Sequence, residues 1–148
     1  MGVTILIPVS SEPNVREAVP FFGVASMDAS LRFYVDGLGF AMTHHWIDEG
    51  KLRWCSLRVG NAAIMLQEFK REGHDSWVPG GKVGEGVSIC FMCNDALAIY
   101  HAALAKGLSP KRPFVGNAMW VVSFTDPDGY RLDFESFTDE PEETRYEA

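Results

Sequence analysis

The sequence predicts an α+β fold made of two βαβββ modules within one domain, and three observations carry that expectation. The first is a hairpin near the end of the chain. β-favouring runs at 121–125 and 130–135 flank Asp126-Pro127-Asp128-Gly129, where proline presets φ for a tight turn and glycine supplies a positive φ. The second is a pair of helix starts, with Asp28 and Asp95 as N-caps 67 positions apart and Phe33 and Tyr100 sharing that offset. The third is that short strand patterns follow each helix in the same order, which reads as an internal repeat.

The elements follow in order. Residues 1–18 read as a loosely held leader, because Ser10-Ser11-Glu12-Pro13-Asn14 breaks any regular element. The first module spans 19–69. It opens with a strand at 19–27 and a helix whose apolar stripe is Leu31, Phe33, Tyr34 and Leu38, ending at Gly37 and Gly39. Strands at 42–48, 52–59 and 62–69 follow, with Glu49-Gly50 and Gly60-Asn61 as the turns. Residues 70–86, rich in glycine and charge, read as a linker loop. Gly80-Gly81-Lys82 is followed by Val83 where a phosphate cradle needs Ser or Thr.

The second module spans 87–136. A strand at 87–93 leads to a helix with the stripe Leu97, Tyr100, His101 and Leu104, ended by Gly107, and to strands around Phe114 and Val121 and at 130–135. Residues 137–148 form an acidic tail, expected to be mobile or to reach a partner subunit.

Composition sets the class. With 148 residues, 47% hydrophobic and 22% charged, the chain can bury one ordinary core. A net charge of −7 argues against nucleic acid or an anionic membrane as partner. No apolar run approaches the ~20 residues of a membrane span. Ile5-Leu6-Ile7-Pro8-Val9 is too short for a signal core, and Leu6 stands where myristoylation needs Ser or Thr, so a cytoplasmic location is expected. The three cysteines are expected to stay reduced there.

The stretches TDPDGYRLDFES at 125–136 and SLRFYVDGLGF at 30–40, with Ala62-Ala63-Ile64-Met65-Leu66-Gln67 between them, resemble the vicinal oxygen chelate superfamily, which groups glyoxalase I, bleomycin-resistance proteins and extradiol dioxygenases. The resemblance organises roughly residues 19–136. It implies that the modules form a curved mixed sheet around a cleft, and that a metal, where present, is held by one residue from the first and last strand of each module. Carried over, those positions are Phe21, Met65, Ser88 and Asp133. A ring, a thioether, a hydroxyl and one carboxylate are poor ligands for a divalent cation handling oxygen substrates. No metal and no other cofactor is therefore expected.

Strand faces supply the rest of the expected cleft wall: Trp54, Ser56, Arg58, Met65, Gln67, Ser88, Cys90, Trp120, Asp133 and Glu135. Asp133 reads either as a ligand-contacting carboxylate, with Arg131 or Glu135 beside it, or as a solvated hairpin charge. His44 and His45, adjacent on a strand, cannot share one ligand. His74 falls in the loop, and His101 reads as helix packing. Cys90-Phe91-Met92-Cys93 matches C-x-x-C but lies in a strand, not at the helix N-terminus that redox pairs use.

Three functions remain. The first is a metal-free protein of the bleomycin-resistance type that binds a small aromatic or cationic molecule. The second is a metal-dependent lyase, isomerase or dioxygenase of the glyoxalase type, with shifted ligands drawn from Glu68, His44 or His45 and Asp133 or Glu135. The third is a dimer with no small ligand. Association as a homodimer is expected from the resemblance and from the need to cover sheet edges.

Overall fold

The computed structural model describes residues 2, 13–73 and 77–147. Most of the leader and His74 lie outside them. The element order is β1 (Phe21–Val24), α1 (Met27–Leu31), β2 (Ala41–Asp48), β3 (Lys51–Val59), β4 (Ala62–Glu68), β5 (Ser88–Met92), α2 (Ala96–Ala105), β6 (Phe114–Gly116), β7 (Met119–Thr125) and β8 (Arg131–Phe137). This is βαβββ twice. One four-stranded sheet runs β1-β4-β3-β2 and the other β5-β8-β7-β6. In each, the first strand lies parallel to the last and the remaining pairs are antiparallel. No helix among the described residues is long and apolar enough to cross a membrane.

Local chemistry explains the boundaries. Ser26, not Asp28, caps α1: its hydroxyl accepts from the Ala29 N–H at 3.2 Å, while Asp28 sits in the first turn, where a negative charge favours the helix dipole. The helix continues through Arg32–Gly37 in a wide turn, closed by Leu38 N–H donating to the Phe33 carbonyl at 2.9 Å. Asp95 caps α2 as expected, through the Ala98 N–H at 3.1 Å. Its inward face differs from the expected stripe. Ala96 and Ala103 are buried with Ile99 and Tyr100 beside them, while His101 and Leu104 are exposed. Small alanines let the helix sit close to its sheet, so the bulkier residues fall outward.

The acidic tail also departs from expectation, for it packs on its own chain. Val115 N–H donates to the Thr144 carbonyl at 2.8 Å and Tyr146 N–H to that of Pro113 at 2.9 Å, so the segment runs along β6. Asn117 and Ala118 hold positive φ angles in the β6–β7 turn, and the Glu142 carboxylate accepts both of their N–H groups.

One core serves both modules. Phe22, Val24, Tyr34, Phe40, Cys55, Leu57, Ile64 and Leu66 of the first bury with Phe91, Val122, Phe124, Leu132 and Phe134 of the second. The helix-side faces of the two sheets therefore look toward this core and their other faces away from it. The Asp126 turn latches the modules together. One Asp126 oxygen accepts the N–H groups of Asp128, Gly129 and Tyr130 at 2.8–2.9 Å, and the other accepts the Tyr34 hydroxyl at 2.8 Å. Asp128 accepts the Ala25 N–H, the Tyr130 hydroxyl donates to the Gly23 carbonyl, and the Tyr130 ring stacks on Phe22 at 4.3 Å.

Candidate functional site

On the first sheet alternation divides the side chains cleanly. Phe22, Val24, Cys55, Leu57, Ile64 and Leu66 enter the core, and their neighbours occupy the outer face. Register sets that outer face out in rows. Trp46, Trp54, Gln67 and Gly23 form one row, and His44, Ser56, Met65 and Phe21 the next. Arg58 follows, ion-paired to Glu17 at 3.0 Å. Gly23 has no side chain, and the Phe69 ring fills the space: a Cβ there would lie 2.6 Å from it. Trp77 meets Phe21 edge-on at 4.8 Å. The face is thus lined with aromatic rings.

A cavity of about 430 Å³ opens at one end of this face, between Trp46, Asp48, Lys51, Arg53, Gln67, Glu68, Phe69 and Lys70. Arg53 reaches it through a bulge. Trp46 pairs with Trp54 and Ile47 with Leu52, which leaves Arg53 without an opposite number. Leu52 packs on the core, and Arg53 shares the cavity with Gln67 of the outer face. Glu68 accepts from Lys51 at 2.9 Å and from the Met27 N–H at 3.0 Å. Burial pushes its carboxyl up, but Lys51 and the Met27 N–H outweigh that and hold it below the ordinary value.

The second sheet presents Ser88, Cys90, Met92, Arg131, Asp133, Glu135 and Ser123 on its outer face. Asp133 is nonetheless only 4% exposed. Its oxygens accept from the Ser123 and Ser88 hydroxyls and from Arg131 Nε at 2.9 and 3.2 Å. Burial drives this carboxyl up, and the bonds from Ser123, Ser88 and Arg131 more than reverse it, leaving it below its usual value. Asp133 is an ionised group whose acceptors are already taken.

The sequence profile of the Glyoxalase/Bleomycin resistance protein/Dioxygenase superfamily matches residues 19–134. The chain belongs to this superfamily. Among solved structures, a bleomycin-binding protein complexed with bleomycin shares 19% identity and a TM-score of 0.62, over 84% of this chain and 100% of that one. TnmS3, an antibiotic-binding protein from Streptomyces sp. CB03234, shares 18% identity and a TM-score of 0.62, over 86% of this chain and 100% of that one. TioX from Micromonospora sp. ML1 shares 16% identity and a TM-score of 0.62, over 82% of this chain and 100% of that one. At these identities the likeness is one of fold. No curated protein sequence matches the chain.

Of the expected wall, Trp54, Ser56, Arg58, Met65 and Gln67 share one outer face, and Ser88, Cys90, Asp133 and Glu135 share the other. Trp120 must be reassigned. Ser123 is the residue opposite Asp133, so Trp120, three positions away, projects to the helix side, opposite Ser136. There it meets Tyr146 edge-on at 5.6 Å. Phe21 and Ser88 are likewise not equivalent. Phe21 pairs with Met65 whereas Ser88 pairs with Arg131, two residues before Asp133, so Val19 is the counterpart of Ser88.

Either choice leaves the superfamily's metal positions without imidazole, and with a single carboxylate whose oxygens are engaged. These residues do not fit a divalent metal. Of the shifted set, His44 lies on the outer face and His45 on the other, and Glu68 is held by Lys51. Among the described residues no three His, Cys, Asp or Glu side chains come together as ligands. Trp46, Arg53, Phe69 and Trp77 escaped the sequence reading. Alternation across the Glu49-Gly50 hairpin carries a signal for Trp46, whereas the bulge behind Arg53 has none.

Proposed function

We propose that this protein binds a small, planar aromatic molecule without a metal, on the outer face of its first sheet. The aromatic lining beside a cavity of about 430 Å³ carries this reading. That volume lies in the range of roughly 300–1,000 Å³ usual for small-molecule sites; Trp46 and Phe69 stand among charged and polar side chains in its own wall, and the other rings lie beside it on the sheet face. The antibiotic- and bleomycin-binding neighbours on the same fold support it.

The reading includes a homodimer. Val87, Met92 and Phe137 are 59%, 61% and 81% exposed on or beside the outer face of the second sheet. A second copy whose first sheet faces them covers this apolar surface and supplies the far wall of the cleft. Light scattering at tens of micromolar is expected to return the mass of two chains, and a monomer mass refutes this part.

Tryptophan fluorescence tests the site. A planar aromatic ligand is expected to change it saturably, and Trp54→Ala to weaken binding by about 1–3 kcal/mol, the scale of a lost aromatic anchor. Trp120→Ala, on the helix side, leaves affinity unchanged. Equal losses in the two variants defeat the placement. Elemental analysis of protein purified without chelator is expected to find no stoichiometric transition metal.

A further inference from the structure

Resting on this reading of the aromatic face, we propose that the cavity beside the β3 bulge selects planar aromatic acids and that the Arg53 guanidinium holds their carboxylate. The bulge turns Arg53 into a space whose aromatic walls are Trp46 and Phe69. The side chain is half-buried yet has no hydrogen-bond or ion-pair partner among the described residues, whereas Arg58 is paired with Glu17 and Arg131 with Asp133. A guanidinium carries five donors and no acceptor, and those of Arg53 face the open cavity with no protein acceptor among the described residues. Its planar fork matches a carboxylate in a two-point contact.

The acids of the cavity do not supply that contact. Glu68 is committed to Lys51 and the Met27 N–H, and Asp48 stands on the exposed rim, where solvent screens it. Arg53 acts on Glu68 through its field alone. Because Lys51 and Glu68 pair with each other, Arg53 faces the cavity as a cation opposed by the screened Asp48. The Gln67 side chain, also half-buried and without a hydrogen bond among the described residues, offers an amide donor beside Arg53. A cationic ligand has no such welcome here. On the other sheet, the oxygens of Asp133 already serve Ser88, Ser123 and Arg131.

The test compares 2-naphthoate with 2-naphthamide, which share ring and size and differ in charge, by calorimetry on the wild-type chain, R53Q, R53K and W46A. Wild type is expected to bind the acid about ten- to a hundredfold tighter than the amide, the value of a charge-assisted hydrogen bond. R53Q removes that preference, with the loss of affinity falling mainly on the acid. R53K keeps the charge without the fork and retains part of the preference. W46A weakens both probes alike. Equal affinities in wild type, or a preference that survives R53Q in a variant with unchanged melting, overturns the inference while the aromatic site stands. Failure of both probes to bind at millimolar concentration overturns the inference and the aromatic site together.

Discussion

Tyr34→Phe isolates the latch between the modules. Tyr34 is fully buried, and its ring meets Phe33 and Phe40 edge-on at 4.9 and 5.6 Å, contacts that phenylalanine retains. What is lost is the hydroxyl that donates to Asp126 at 2.8 Å. One Asp126 oxygen keeps its three backbone donors and the other is left with none. A hydrogen bond to a charged group contributes about 1.5–3 kcal/mol, and that is the expected loss of stability at neutral pH.

The pH dependence is the sharper test. Burial pushes the Asp126 carboxyl above its usual range, and the bonds from Tyr34 and the turn N–H groups counter only part of this. A carboxyl raised in this way favours the folded state below its unfolded pKa of about 3.9, and that contribution is lost as pH rises through the folded value. Removing the Tyr34 donor raises the folded value further. The defect is therefore largest at neutral pH and shrinks on acidification, because a protonated Asp126 needs no donor there. Asp133 titrates in both proteins and cancels from the difference. Urea unfolding at neutral pH and near pH ~4.5 measures it. A loss under about 0.5 kcal/mol, or one that grows in acid, refutes the reasoning.

Two further outcomes follow from the same structure. Ser123→Ala takes a buried donor from Asp133, whose depressed pKa gives stability above its unfolded value that is lost as pH falls through the folded one. The Asp133 titration followed by NMR is expected to move to higher pH, and the variant's stability deficit to vanish in acid; an unmoved titration contradicts the assigned network. Gly23→Ala sets strand propensity against packing. Propensity favours alanine by about 0.5–1 kcal/mol, but the new Cβ lies 2.6 Å from the Phe69 ring, so a net loss of about 1–3 kcal/mol is expected, relieved when Phe69→Ala is added. A stabilised Gly23→Ala means that the ring does not rest there.

The sequence by itself determined the repeated order of elements, most strand positions and the tight turns, because alternation, caps and Gly or Pro positions act over a few residues and need no distant partner. Alternation within single strands also kept Ser88 with Cys90 and Asp133 with Glu135, while the resemblance, not the alternation, placed Ser88 and Asp133 together. Trp120 was misplaced because counting faces from Asp133 requires the β7–β8 register across the Asp126 turn. Only the tertiary structure decided that register. It alone revealed that Asp126 is a latch as well as a turn residue, since Tyr34 lies 92 positions away in sequence. It alone put Arg53 in the cavity, because a bulge breaks the alternation from which its face is read. And it alone set Phe69 over Gly23, since a glycine in a strand does not say which neighbour will occupy the space it leaves.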